Sequence, residues 1–183
     1  GDFYLGPLYY YLLAPFYWLT NFDPMGANYF NIVLNIFNFV TFYFVFKNLF
    51  SKNIGLIATL LLATSQYAIA KTLVPWNVSP IPGVSILIFY SLFQVTQGNF
   101  KWTLVLAALS GLFFHLHFTA IFLPLIYIPV LFLTKDKKRL FKWIFLSFPI
   151  FFAFFVPTIL NDFAHHHDNF YRFRNFLRAC PRI

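Results

Sequence analysis

The chain has 183 residues, of which 60% are hydrophobic, 24% aromatic and only 10% charged, with a mean hydropathy of +0.70. A soluble domain averages about 45–50% apolar and about 25% charged residues, so the composition excludes an ordinary soluble domain and predicts an all-α, polytopic helical membrane protein. The net charge of +8 is carried between apolar runs, which assigns it to topology signals and membrane lipids and excludes nucleic acid as a partner.

A bilayer core of about 30 Å takes roughly 20 apolar residues of helix. The first stretch, residues 1–26, reads as an interfacial segment on the outer face. Pro7 suits the first turn of a short helix, where its missing N–H is harmless. Tyr9, Tyr10 and Tyr11 spread around that helix, as suits rings with one wet end. Pro15, with Tyr17 and Trp18, is expected to turn the chain into the first span. That span covers about Tyr29–Phe46 and the second about Ile54–Ala70. The third runs from about Pro82 to Val95, with an extension back to Trp76 left open. Residues 102–133 are too long for one span and short for two. Their middle, FFHLHFTAIFLP, predicts two short helices meeting near His117–Thr119, with Pro124 and Pro129 in the second. After the basic loop TKDKKRLFK, a last span covers about Trp143–Ile159, with Pro149 and Pro157 inside it. The result is about six transmembrane helices in a bundle over 29–159, with an outer-face tail over 160–183, forming one transmembrane domain. The start at Gly1-Asp2 shows no signal peptide, and the end is an Arg-rich tail, so the sequence is expected to be a fragment. The single Cys180 provides neither a disulfide nor a Cys-based metal site.

Counting Lys and Arg in the short loops fixes an orientation. With the first loop cytoplasmic, Lys47, Lys52, Lys101, Lys135, Lys137, Lys138, Arg139 and Lys142 all fall inside. Outside there is only Lys71 before the tail, together with Asp2, Asp23, Asp162 and Asp168. The N-terminal stretch, the Lys71–Pro82 loop, the His115–Thr119 kink and the tail therefore share the outer face, and the candidate chemistry gathers there.

Ionisable groups inside a membrane each cost about 2.5–3.5 kcal/mol at its centre on insertion scales. The spans are nearly free of them, which argues against an ion or proton relay. His115 and His117 are the exceptions. Two readings of them stand: neutral histidines bonded to backbone, or the lining of a polar cavity that opens outward. In NDFAHHHDNFYRFRNF, residues 161–176, His165 sits in a histidine run, and Arg172 and Arg174 can fork onto phosphate. The alternative is an interfacial helix held by its aromatics. Lys71 is either a span terminator or a phosphate contact, and Trp76 a platform for a sugar or lipid. Asn77-Val78-Ser79 matches a glycosylation acceptor but precedes Pro80 and hugs the membrane. No cofactor follows from the sequence; His165-His166-His167, flanked by Asp162 and Asp168, leaves a divalent metal open by composition, with no second cluster to support it.

GPLYYYLLAPFYWL, NIGLIATLLLATS, PWNVSPIP and GLFFHLHFTAIFLPLIYIP, in that order, resemble the GT-C superfamily of polyprenyl-phosphate-dependent glycosyltransferases. The likeness is to its bacterial and archaeal branch, similar to protein mannosyltransferases and aminoarabinose transferases, and it covers most of the chain. The resemblance implies an integral protein of a prokaryotic plasma membrane whose active face is extracytoplasmic. It implies an inverting transferase that moves a sugar from a lipid-linked donor to a glycan, lipid or protein acceptor. It also implies an acidic base in a first outer loop. That base is expected upstream of Gly1, with Asp2 the lone nearby acid. The residues fit such a donor independently: they offer apolar surface for a prenyl tail, an aromatic shelf, a few cations for phosphate and no nucleotide-binding loop. Substrate binding is expected at Tyr10, Lys71, Trp76, His115, His117, His165, Arg172 and Arg174. The alternative is a non-enzymatic protein such as a lipid-linked-sugar flippase or transporter fragment. It would call for polar mid-membrane positions or inverted symmetry, and the sequence has neither.

Overall fold

The computed structural model of the chain describes residues 7–72 and 74–164, and among them every regular element is helical. In order these are α1 (Leu8–Leu19), α2 (Met25–Leu49), α3 (Lys52–Thr64), α4 (Gln66–Thr72), α5 (Ile81–Thr96) and α6 (Trp102–Leu116). A 3-10 turn (Phe118–Phe122), α7 (Leu123–Leu133), α8 (Lys137–Ala153) and α9 (Val156–Ala164) follow.

Helix α1 begins at Pro7, as its ring geometry favours. Pro15, however, lies inside the helix instead of ending it. The turn comes later, where Asn21 (φ 51°) and Phe22 (φ 63°) adopt left-handed backbone and the Phe22 N–H donates to the Tyr17 carbonyl at 2.7 Å. The Thr20 hydroxyl donates to the Phe16 carbonyl at 2.9 Å, closing the α1 end. Helix α1 then folds back on the first turns of α2, burying Tyr9 and Leu13 with Phe30. Burial, with Tyr10 and Tyr17 nearby, pushes the Tyr9 phenol up from its usual 10.0 to about 12, so it serves as an un-ionised packing group. The other face of α1 leaves Tyr10, Tyr11 and Trp18 exposed.

Helix α3 packs back on α2 through Gly55, where an added Cβ would lie 2.8 Å from the Tyr43 carbonyl oxygen. The apolar run expected to form one second span is broken. Ser65 is extended (φ −64°, ψ 125°), and its Oγ accepts from the Ala68 N–H at 3.3 Å, so a new helix starts. Asn38, buried in the middle of α2, donates to the Ser79 carbonyl (2.8 Å) and accepts from the Gly83 N–H (2.9 Å). One amide thus satisfies two backbone groups at the start of α5. Helices α5 and α6 form a hairpin around the main core of Val84, Ile88, Leu92, Val95, Phe113 and Leu116. Helices α6 and α8 run in the same direction: Ser147 donates to Thr103 at 3.1 Å, and further along Gly111 lies against the Phe154 ring.

The expected last span also divides. Helix α8 starts at its Asp136 cap, keeps Pro149 inside, and gives way at Phe154–Phe155 to α9. Pro157 sits in the first turn of α9 and lacks the N–H that would bond the Ala153 carbonyl, so α8 does not continue through it. Among the described residues α2 is the helix long and apolar enough to cross a membrane by itself, so six complete spans are not established. Helices α5, α6 and α7 have 16, 15 and 11 residues, about 16–24 Å at 1.5 Å per residue, against a core of about 30 Å. Their outward surfaces are nonetheless apolar. Leu56, Ile57, Leu60 and Leu61 on α3 and Phe141, Phe145, Phe148 and Phe152 on α8 are all exposed, a surface suited to lipid contact.

Candidate functional site

Backbone geometry creates the site. Helix α6 stops at His117, whose extended backbone (φ −157°, ψ 141°) leads into the 3-10 turn. The last carbonyls of a helix lack helical partners, and Leu116 finds one outside: the Asn77 Nδ2 donates to its carbonyl at 2.7 Å. The loop before α5 is thereby clipped to the end of α6. The same bond engages the amide of the Asn77-Val78-Ser79 pattern, and Ser79 is buried, so this sequence is badly placed to accept a glycan. His117 caps the 3-10 turn locally. Its Nδ1 accepts from the Thr119 N–H at 3.2 Å and lies 2.9 Å from the Thr119 hydroxyl.

His115 faces inward and is 3% exposed. Its Nε2 lies 2.7 Å from the Phe154 carbonyl oxygen; a carbonyl only accepts, so Nε2 carries the proton. That oxygen sits at the break between α8 and α9. Gly111, one turn before His115, makes the approach feasible, because a Cβ there would lie 2.7 Å from the Phe154 ring. Phe155 packs beside the imidazole with ring centroids 5.8 Å apart. The two histidines therefore part at the helix break, one holding α8 against α6 and the other capping a turn.

Around His115 lies a cavity of about 260 Å³ lined by Pro7, Leu8, Tyr11, Ala153, Phe154 and Pro157. It joins the start of α1, the end of α6 and the α8–α9 break, three segments far apart in sequence. Among the described residues that line it none is Asp, Glu, Lys or Arg, so they offer apolar walls, one phenol and one imidazole. It can seat an uncharged or apolar portion of a ligand, while acid–base and phosphate chemistry needs groups from elsewhere.

The other expected residues are placed as follows. Tyr10 is 64% exposed, stands edge-on to Tyr9 at 5.6 Å and does not line the cavity; Tyr11 does. The spacing holds the signal, because Tyr11 lies three residues after Leu8 and four after Pro7, both lining the cavity, whereas Tyr10 lies two after Leu8 and turns away. Trp76 is 52% exposed in the loop that Asn77 anchors. Lys71 falls in α4, with its side chain outside the described part. Asp2, His165, Arg172 and Arg174 lie outside the described residues.

The sequence pattern of dolichyl-phosphate-mannose-protein mannosyltransferases matches residues 5–160. No curated protein and no solved structure matches the chain.

Proposed function

The chain belongs to the dolichyl-phosphate-mannose-protein mannosyltransferase family, a family of membrane glycosyltransferases, and on that premise we propose how it serves the transfer. The donor is a sugar on a polyprenyl-phosphate carrier, and the acceptor a glycan, lipid or protein reached on the extracytoplasmic face of a prokaryotic plasma membrane. The sugar moves in a single displacement with inversion. A carboxylate takes the acceptor proton, and cations stabilise the phosphate that leaves with the carrier. Lys71, Arg172 and Arg174 are the proposed phosphate contacts. Trp76, with Tyr10 and His165, forms the aromatic and polar rim, and His117 keeps the rim's backbone in place.

The observation that supports this reading is the cavity formed by Pro7, Leu8 and Tyr11 with His115 and Phe154. A lipid-linked donor needs an apolar recess next to a polar surface, and a sheltered wall lets a sugar be held without competing water. His115 acts there as a positioning residue, holding the α8–α9 break that forms one wall.

The test is transfer by membranes that contain the natural protein carrying this chain, with a synthetic polyprenyl-phosphate carrying radiolabelled mannose as donor. Label passing to acceptor from the lipid-linked sugar, and not from a nucleotide sugar, is the expected result. Movement of the lipid-linked sugar across the bilayer without transfer would replace the reading by a carrier function.

A further inference from the structure

The opposite end of α6 carries a second pocket, of about 460 Å³, lined by Gln94, Gly98, Asn99, Phe100, Lys101, Trp102, Arg139 and Trp143. It lies about 20 Å along α6 from His115, at 1.5 Å per residue. The two regions therefore do not form one site. We propose that this pocket binds the phosphate of an anionic phospholipid, on the membrane face away from glycosyl transfer.

Among the described residues the lining contains two cations and no carboxylate. The nearest acid in sequence, Asp136, caps α8, its Oδ1 accepting from the Arg139 backbone N–H at 3.0 Å. The Arg139 guanidinium lies over the Phe100 ring, 5.5 Å from its centroid, and Phe100 is itself buried. A guanidinium resting over a buried ring retains N–H groups that can fork onto phosphate oxygens. Lys101 adds a point charge from the start of α6.

The walls are built to hold shape. Asn99 donates to Gln94 at 2.7 Å, and Gln94 donates to the Tyr90 hydroxyl at 2.7 Å. Tyr90 in turn stands edge-on to Trp102 at 5.2 Å. Gly98 makes the turn with φ +89°, and a Cβ there would meet nothing within 4 Å, so the mouth is open. Trp102 and Trp143 place two indoles beside the cations, the pairing found at headgroup depth. The loop reading of Lys and Arg assigns this end to the cytoplasmic side, where anionic lipid is recognised by basic pockets between helices. A phosphate monoester or inorganic phosphate has the same anionic oxygens. The indoles and the apolar helix surface beside them favour the lipid, whose acyl chains would cover that surface.

Native mass spectrometry of the detergent-purified chain tests the proposal, with phosphatidylglycerol, phosphatidylcholine and sodium phosphate as probes. Wild type should retain phosphatidylglycerol in preference to phosphatidylcholine, and millimolar phosphate should not displace it. Lys101→Gln with Arg139→Gln should weaken retention roughly tenfold or more, as for two cations acting at a charged surface. The control, Lys47→Gln with Lys52→Gln, removes the same charge from the α2–α3 turn and should leave retention near wild type. Equal loss in the control, equal retention of phosphatidylcholine, or displacement by free phosphate would each overturn the lipid site. An unfolded double variant is recognised by its melting curve, and Arg139→Lys then serves instead: it keeps the charge, loses the fork, and should still weaken retention.

Discussion

The two ends of α6 use their polar side chains in opposite ways. At the His115 end helices break, and Asn77, His115 and His117 are spent on backbone groups that the breaks expose. At the Lys101 end the helices begin regularly, Asp136 caps α8, and Lys101 and Arg139 line an open pocket. In an apolar surrounding every backbone group needs a partner, so irregular backbone consumes the very residues that look like ligand binders. Polar side chains at a helix break are therefore first suspects for structural work, whereas cations at an orderly helix start remain available.

That contrast can be broken most forcefully at His115. His115→Leu leaves the Phe154 carbonyl without its donor and should cost about 1–3 kcal/mol, read as a lowered unfolding midpoint in mild detergent. His115→Gln, which retains an N–H donor, should recover part of the loss. Unchanged stability in His115→Leu would remove the structural role. Gly111→Ala should cost somewhat less, about 1–2 kcal/mol, because overpacking against Phe154 is partly offset by better helix propensity. Asn77→Ala should lose about 1 kcal/mol by freeing the Leu116 carbonyl, and its mass in glycosylating cells should differ from wild type by the substitution alone. At the other end, Lys101→Gln with Arg139→Gln should alter stability by no more than about 0.5 kcal/mol while lipid retention falls. A large stability loss there would erase the contrast.

The sequence shows part of this arrangement and hides the rest for physical reasons. The α6–α7 break is legible, since FFHLHFTAIFLP places polar residues and a proline in a stretch too long for one span, and the break falls at His117. The α3–α4 break is hidden, because Ser65 is one small residue in an apolar run and only its capping geometry ends the helix. Prolines mislead in both directions. Pro15, expected to turn the chain, remains inside α1, whereas Pro157, expected inside the last span, follows a true break; Pro149 stays inside α8 as expected. In the candidate site His115 is legible as a rare polar group in a span. Tyr11 is missed by one position, since three adjacent tyrosines look alike until a helix phase is fixed from Pro7. The Lys101–Arg139 pocket is invisible for a different reason: its cations come from the starts of two helices far apart in sequence, and each alone reads as a topology signal.

In the proposed function, the recess between the start of α1 and the α8–α9 break holds the lipid-linked donor. The direct measurement is sugar transfer by Tyr11→Ala, compared with wild type in membranes at matched amounts of folded protein. Tyr11 is 59% exposed, so its truncation should change stability by no more than about 0.5 kcal/mol. Transfer should fall roughly tenfold, the order of losing one well-placed contact of about 1.4 kcal/mol, with the melting midpoint unchanged. Transfer at the wild-type rate would contradict it.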